Sequence, residues 1–341
     1  METLAVKYRP QKFEDVCGQG ATIKILEKQL ELREFKNSYL FVGPSGVGKT
    51  TLARIFANGI NRGAGQPIEI DGASNNGVDN VKTIVANAQE RSLDSEYKIF
   101  IIDECHSLTN QAWQAFLKCI EEPPHYTIFI FCTTEVQKVP ATIVNRVQRF
   151  NLTRIDWKVI AQRLESIIGN EFGVDVNYFD YKDSIEYIAK MSGGSLRQAI
   201  SYTEKCLDYS RELTLENVYE VLGNYSLNLF FDLTNMIIDN DKGNIIKLID
   251  SIYNKGQDLP LFIDNYLSFV IDMCKYCIFK DVEMCNIPHG LIDEVNYLTN
   301  NGNQLGFFGN LQEKVLEIKN AIKYDVSSYS TILVMLLSLV K

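Results

Sequence analysis

The sequence predicts a doubly wound α/β domain on a five-stranded parallel sheet, followed by a small helical domain and a longer all-α domain. Three observations carry this expectation. Five short runs rich in β-branched and aromatic residues fall before residue 153, and helical stretches separate them. Two of these runs, at 97–103 and 126–134, are almost continuously apolar, as strands covered by helices on both faces must be. After residue 152 the strand signal stops, and apolar residues recur at i, i+3 and i+4 instead.

The elements follow in order. The strands are read at "SYLFVG" (38–43), "IEID" (68–71), "YKIFIID" (97–103), "YTIFIFCTT" (126–134) and "VQRFNL" (147–152). A helix is read through "TLARIFANGI" (51–60). Between it and the second strand, "NGINRGAGQPIEI" (58–70) carries three glycines and one proline but no cysteine, and reads as a plain linker. Beyond the sheet, "WKVIAQRLESIIGNEF", "YKDSIEYIAKM" and "SLRQAISYTEKCLDYS" have helical spacing. Longer helices follow from "TLENVYEVLG", broken at "DNDKGN", "NKGQDLP" and "NNGNQLG". The expected domains are 1–152, 153–212 and 213–341.

Composition narrows the class. Eight cysteines without a repeating framework, in 341 residues, read as reduced thiols of a cytoplasmic protein. The opening "METLAVKYRPQKFEDV" turns polar at once, so no signal peptide is expected, and the terminal "TILVML" run is too short to span a bilayer. With 34 basic against 43 acidic residues, net −9, the chain is not coated for non-specific nucleic-acid binding. A local basic surface remains compatible with that balance, because phosphate contacts need only a few donors.

The chemistry begins at "GPSGVGKT" (43–50), which fits G-x-x-x-x-G-K-[ST] between a strand and a helix. Gly43, Gly46 and Gly48 let the backbone curl so that its N–H groups face phosphate oxygens. Pro44, Ser45, Val47 and Thr51 complete the stretch, which reads as a nucleoside-triphosphate site. Lys49 reaches the β- and γ-phosphates, and the Thr50 hydroxyl is a ligand for Mg²⁺. The helix N-terminus adds positive partial charge. Next, "IFIIDECH" (99–106) sets Asp103 and Glu104 at the carboxyl end of a buried strand, where open α/β sheets bind ligands. Asp103 is assigned to Mg²⁺ through water, and Glu104 to polarising the attacking water. His106 reads as a neighbour outside the chemistry rather than an acid–base group. Thr133 and Thr134 end the fourth strand, Arg146 precedes the fifth, and Arg197 opens a helix of the small domain. Taken singly, each arginine reads as a surface charge.

Taken together and in this order, these pieces resemble one family, the bacterial clamp-loader motor subunits, gamma/tau of DNA polymerase III, within the AAA+ ATPases. The matching stretches are "KYRPQKFEDVCGQ" (7–19), "GPSGVGKTTLAR" (43–54), "IEIDGASNNGVD" (68–79), "IFIIDECHSLTNQAWQAFLKCIEEPP" (99–124), "CTTEVQKVPATIVNRVQRF" (132–150) and "GGSLRQAIS" (193–201). They cover most of residues 5–210. The helical remainder matches in length and texture only.

The resemblance implies roles. Tyr8, Arg9 and Pro10 with Val16 would line the adenine pocket. Thr134, with Thr133 as the alternative, would be the polar sensor beside the γ-phosphate. Arg197 would be the second sensor, supplied by a lid domain. Arg146 would be the finger inserted into a neighbouring subunit's site, worth about 10³-fold or more in rate. Asn75 and Asn76, in a segment read as a helix start, would meet DNA phosphates. The implied partners are further clamp-loader subunits in a ring-like, pentameric assembly, the sliding clamp and primer–template DNA, with no membrane. The final helices would form the oligomeric collar, and 341 residues match the shorter gamma form.

Two departures stand out. The family's finger motif is usually Ser-Arg-Cys, and here it is Asn145-Arg146-Val147. The family's four-cysteine zinc module has no counterpart in the linker, so zinc is not carried over to that site. Cys274, Cys277, Cys285 and His289 offer another C-x₂-C set. The helical spacing of Cys274 and Cys277 reads instead as small apolar residues on a helix. Two other readings stand beside the main one. They are another AAA+ DNA motor (a branch-migration helicase or a eukaryotic-type clamp-loader small subunit) and a non-hydrolysing assembly subunit.

Overall fold

The structure, a computed structural model, describes residues 2–172, 178–300, 304–323 and 328–340. It divides into two compact units, Met1–Glu171 with Ser192–Ser201 and Phe172–Met191 with Tyr202–Lys341.

In the first unit the chain order is α1 (Leu4–Lys7), α2 (Gly20–Leu32), β1 (Ser38–Val42), α3 (Lys49–Ile60), β2 (Ile68–Asp71), α4 (Val78–Ala88), β3 (Lys98–Asp103), α5 (Asn110–Glu121), β4 (Thr127–Thr133), α6 (Ala141–Val144), β5 (Gln148–Asn151) and α7 (Trp157–Phe172). All five expected strands are present. They pair in parallel, in the order β2-β3-β4-β1-β5. This is the open parallel sheet that the continuous apolar runs call for, since β1 and β4 are buried at every position.

Alternation along each strand sorts side chains to two cores. Tyr39, Phe41, Ile99, Ile101, Ile128 and Ile130 meet Leu52 and Phe56 of α3 and Leu26 of α2. Leu40, Phe100, Ile102, Phe129 and Phe131 meet Val81 of α4 and Trp113 and Phe116 of α5. Each such fully buried aromatic or aliphatic side chain contributes about 1.5–3 kcal/mol. β2 is the exposed edge, and there Arg54 of α3 pairs with Glu69 at 2.5 Å.

The linker after α3 is a closed turn. Arg62, Gly63 and Gly65 all take positive φ, and the Gly63 N–H donates to the Asn58 carbonyl. Asn61 then clamps the linker to the start of β3. Its Nδ2 donates to the Tyr97 carbonyl at 2.8 Å, and its Oδ1 accepts the Tyr97 N–H at 2.9 Å.

The second unit is helical throughout its described residues. It contains α8 (Tyr178–Met191), most of α9 (Leu196–Tyr209), α10 (Leu215–Leu222), α11 (Leu227–Ile238), α12 (Lys242–Asn254), α13 (Leu259–Phe279), α14 (Ile292–Thr299), α15 (Gln304–Ile322) and α16 (Ser328–Ser338). Tyr225, Phe230, Phe262, Tyr266 and Phe269 stack as its core. The breaks at "DNDKGN" and "NKGQDLP" fall at the ends of α11, α12 and α13; part of "NNGNQLG", residues 301–303, lies outside the described residues. Among the described residues no helix is long and apolar enough to cross a membrane.

All eight cysteines are free thiols. Cys274 and Cys277 sit on α13, the Cys285 thiol donates to the Asp272 carbonyl at 3.2 Å, and His289 Nδ1 lies 2.7 Å from Glu186 Oε1. Among the described residues no three His, Cys, Asp or Glu side chains converge as a metal-ligand set.

Candidate functional site

The carboxyl ends of β1, β4 and β3 are neighbours in the sheet, so the loops that leave them share one rim. A cleft opens there, entirely within the first unit. Its floor is the 45–51 loop and the start of α3, and its far wall is Asp103 and Glu104. One side is the amino-terminal segment with Tyr8, Arg9, Pro10 and Val16, and the roof is the Leu196–Ile200 turn of α9 with Arg197.

The loop's shape depends on glycine at two points. Gly46 and Gly48 have φ of +74° and +102°, a region that side-chain-bearing residues rarely adopt. At Gly46 a Cβ would also lie 2.0 Å from Ser195 Oγ, so the 195–197 segment closes directly on the loop. Gly43 lies against the chain leaving β5, where a Cβ would meet the Leu152 carbonyl at 2.6 Å.

Inside this curl the Lys49 ammonium is buried and donates to the carbonyls of Gly43 and Pro44 at 3.0 and 2.9 Å. Both acceptors are neutral, and among the described residues no carboxylate lies within ion-pair distance. A buried cation held only by carbonyl dipoles is matched to an anion entering the cleft. The Thr50 hydroxyl donates to Asp103 Oδ2 at 2.7 Å, so a hydroxyl and a carboxylate stand side by side at the cleft wall. Two hard oxygen ligands so placed suit Mg²⁺, which takes few protein ligands and keeps its waters.

Glu104 caps the strand end in the left-handed region, φ 45°, and its own N–H donates to Asp103 Oδ1 at 3.0 Å. Its Oε2 accepts from the Thr134 hydroxyl at 3.2 Å. Thr133 is the last residue of β4 and Thr134 follows it, so the assigned water-polarising carboxylate and the assigned sensor are already in contact. Arg197 is an exposed residue of the first turn of α9 and lines the cleft.

Arg146 is not brought to this cleft. It follows α6 on the surface, donates to the Thr142 carbonyl at 2.8 Å and pairs with Glu121 at 2.8 Å. The segment 74–79 does contain a helix start, at its far end. α4 begins at Val78 with Gly77 as its cap, so both asparagines lie in the preceding turn. The cause is Asp71, whose carboxylate accepts from Ala73 N–H and the Ser74 hydroxyl and winds the chain into that turn. The Asn75 N–H and side-chain amide both donate to the Asp71 carbonyl, so Asn75 presents no free backbone donor outward.

Tyr8 is fixed by its hydroxyl, which donates to Glu171 Oε1 at 2.6 Å, a carboxylate shared with Lys7. Burial, then that bond to Glu171, pushes the phenol up to about 12. The Lys7 and Tyr8 bonds hold the Glu171 carboxyl below its ordinary value. Gln19 ties the same segment to the chain after β5, donating to the Thr153 carbonyl at 2.8 Å and accepting its N–H at 3.2 Å.

Sequence reasoning missed Ala5, Cys17, Ile155, Leu196 and Ile200, which supply the cleft's apolar lining, and Ser195, which packs on Gly46. Leu196 and Ile200 are four apart and therefore share a helix face with Arg197 beside them, a signal available in the spacing. Cys17 adjoins Val16, and burial raises its thiol. Ile155 carries no such signal.

The chain is similar to several known proteins. Residues 66–156 match the family "DNA polymerase III, delta subunit", and residues 213–287 match "DNA polymerase III subunits gamma and tau domain III". The chain is 34% identical over 292 residues to DNA polymerase III subunit tau of Bacillus subtilis, covering 79% of this chain and 51% of that protein. It is 30% identical over 294 residues to DNA polymerase III subunit gamma of Buchnera aphidicola, covering 79% of each. The chain thus spans about half the length of the tau-type relatives it matches, as also for the gamma/tau subunit of Mycoplasma genitalium at 52%. Among solved structures, the RuvB Holliday junction branch migration motor of Thermotoga maritima aligns with a TM-score of 0.52 and 21% identity, over 72% of this chain and 85% of that one. At that identity the likeness is one of fold.

Proposed function

The chain belongs to the DNA polymerase III gamma/tau subunit family, and on that premise we propose that it is an ATP-hydrolysing clamp-loader subunit. Its task is to help open a sliding clamp and load it onto primer–template DNA during replication in the cytoplasm. The observation that carries the reading is the buried Lys49 ammonium, held by neutral carbonyls beside the Thr50–Asp103 pair in a glycine-shaped cleft.

The 43–51 stretch and Lys49 bind the triphosphate, and Tyr8, Arg9, Pro10 and Val16 take the base. Thr50 and Asp103 hold Mg²⁺, which supplies charge to the phosphates. Glu104 polarises the water, and Thr134 positions Glu104 and reads the γ-phosphate end. Arg197 reports closure of the α9 turn over the nucleotide.

Arg146, exposed and outside its own chain's cleft, serves the next subunit of a ring-like, pentameric assembly. Release of its pairing with Glu121 accompanies assembly. Residues 1–152 act as the nucleotide-binding domain, 153–212 as the lid and 213–341 as the collar. Asn76 and the first turn of α4 are the segment offered to DNA.

The test is steady-state ATP turnover of the reconstituted complex with clamp and primed DNA. Wild type is expected to show DNA- and clamp-stimulated hydrolysis that Lys49→Ala abolishes and Arg146→Ala reduces by about 10³-fold. Absence of stimulated hydrolysis in wild type refutes the motor reading in favour of a non-hydrolysing assembly subunit. An Arg146→Ala complex as active as wild type refutes the finger.

A further inference from the structure

One polar side chain beside the cleft has no role in that scheme. His106 sits on a 3-10 turn at Cys105–Ser107, immediately after Glu104, and is not among the residues lining the cleft. The turn is anchored. Cys105 is fully buried, and the Ser107 and Leu108 N–H groups donate to the Glu104 and Cys105 carbonyls. The ring is therefore held in place, with a side-chain exposure of 15%.

Its two nitrogens face carboxylates from two different strand ends. Nδ1 lies 3.3 Å from Glu104 Oε2, after β3, and 3.2 Å from the Thr133 hydroxyl. Nε2 lies 3.4 Å from Glu135 Oε1, after β4. Glu135 is itself fixed: Lys138 donates to the same oxygen at 2.8 Å, and the Glu135 N–H donates to Thr133 Oγ1 at 3.0 Å. The Lys138 bond keeps the Glu135 carboxyl below its ordinary value, so it stands as an anion behind the ring.

A glutamate in a left-handed backbone conformation has a directed but long side chain, and only outside contacts decide where its carboxylate points. Thr134 supplies one contact and His106 the other, on the same oxygen. We infer that His106 is a positioning residue, whose ring, donating from both nitrogens, bridges Glu104 to Glu135 and so sets the direction in which the Glu104 carboxylate faces the cleft. The bridge spans the ends of β3 and β4, so Glu104 is aimed by both strands rather than by its own loop alone. This rests on the assignment of Glu104 above and adds to it a residue outside the cleft lining.

The test uses turnover of the assembled complex together with ATP affinity of the full chain, for His106→Phe, His106→Asn and Glu135→Gln. Phe removes both ring nitrogens, whereas the Asn amide places one donor where Nδ1 lies. His106→Phe is expected to lower kcat by about tenfold or more with KM and ATP affinity unchanged. His106→Asn, which keeps the contact to Glu104 but not the one to Glu135, should recover part of the loss and leave kcat near that of Glu135→Gln. Glu135→Gln should lower kcat in the wild-type background and add nothing to His106→Phe, since both changes break one bridge. Wild-type turnover in His106→Phe, or equal effects of Glu135→Gln in both backgrounds, overturns the proposal, as does a parallel fall in kcat and ATP affinity.

A second readout is independent of turnover. The chain has only three histidines, so the imidazole ¹H–¹⁵N signals of the full chain are separable, and the His106 signals are identified by their loss in His106→Asn. They should shift in both Glu104→Gln and Glu135→Gln. Signals that stay still in both variants refute the bridge even if the wild-type complex proves unable to hydrolyse ATP.

Discussion

Gly46 shows how a single residue couples the phosphate loop to the roof of the cleft. Its φ of +74° and the 2.0 Å approach to Ser195 Oγ leave no room for a methyl group. Gly46→Ala should therefore cost about 1–2 kcal/mol of backbone strain and displace the α9 turn. A fluorescent-nucleotide titration is expected to show affinity at least about tenfold weaker; wild-type affinity would mean that the roof moves freely. Tyr39 makes a different prediction. Its fully buried hydroxyl donates to Gln29 and accepts the Lys36 N–H, so Tyr39→Phe should cost about 1–3 kcal/mol at neutral pH. Burial pushes this phenol up to about 12 from an ordinary value of 10.0. A raised value means that the wild-type advantage is complete below pH 10 and is lost as pH rises toward 12. Urea unfolding at stepped alkaline pH should show the gap between the two proteins closing over that window, and a constant gap contradicts it. At this scale the sequence was legible where a motif dictates a residue type: Lys49, Thr50, Asp103 and Glu104 line one cleft. It was illegible where the cleft is lined by Ile155 or Cys17, because an apolar wall residue is written like any core residue.

At the scale of elements, the central strands β1, β3 and β4 were readable because a sheet buried on both faces admits almost nothing but apolar residues there, in runs too short for helices; the edge strands β2 and β5 are largely exposed and were read from their place in the alternation of strands and helices. The start of α4 falls late in the segment read for it, because the Asp71 carboxylate winds the chain after β2 into a turn before the helix begins. An aromatic layer lies under α5. Phe116 is fully buried and meets Phe129 and Phe131 edge-on at 5.7 and 5.5 Å. Phe116→Ala should destabilise the first unit by about 3–5 kcal/mol in equilibrium unfolding, and a loss under about 1 kcal/mol would mean that the layer is loosely packed. The linker after α3 holds itself closed by its own turn and the two Asn61–Tyr97 bonds, with no thiol in residues 58–67. Metal analysis of the purified protein is expected to find no stoichiometric zinc. One zinc per chain would overturn this and return attention to Cys274, Cys277, Cys285 and His289.

For the whole molecule, the proposed division of labour puts the nucleotide cleft in one chain and the arginine that completes it in the next. Mixing supports a clean test of that arrangement. Complexes assembled from Lys49→Ala and Arg146→Ala chains together should regain turnover wherever an intact cleft meets an intact finger, while each variant alone stays inactive; no recovery in the mixture contradicts a finger acting between chains. Beneath this lies the claim on which the account depends, that the cleft around Lys49 takes ATP with Mg²⁺. The most direct measurement is an equilibrium titration of the full chain with ATP, with and without Mg²⁺, beside Lys49→Ala and Asp103→Asn. One saturable site per chain is expected, weakened at least about tenfold by Lys49→Ala, with the Mg²⁺ dependence lost in Asp103→Asn. No saturable binding, or a Lys49→Ala chain that binds as tightly as wild type, would contradict it.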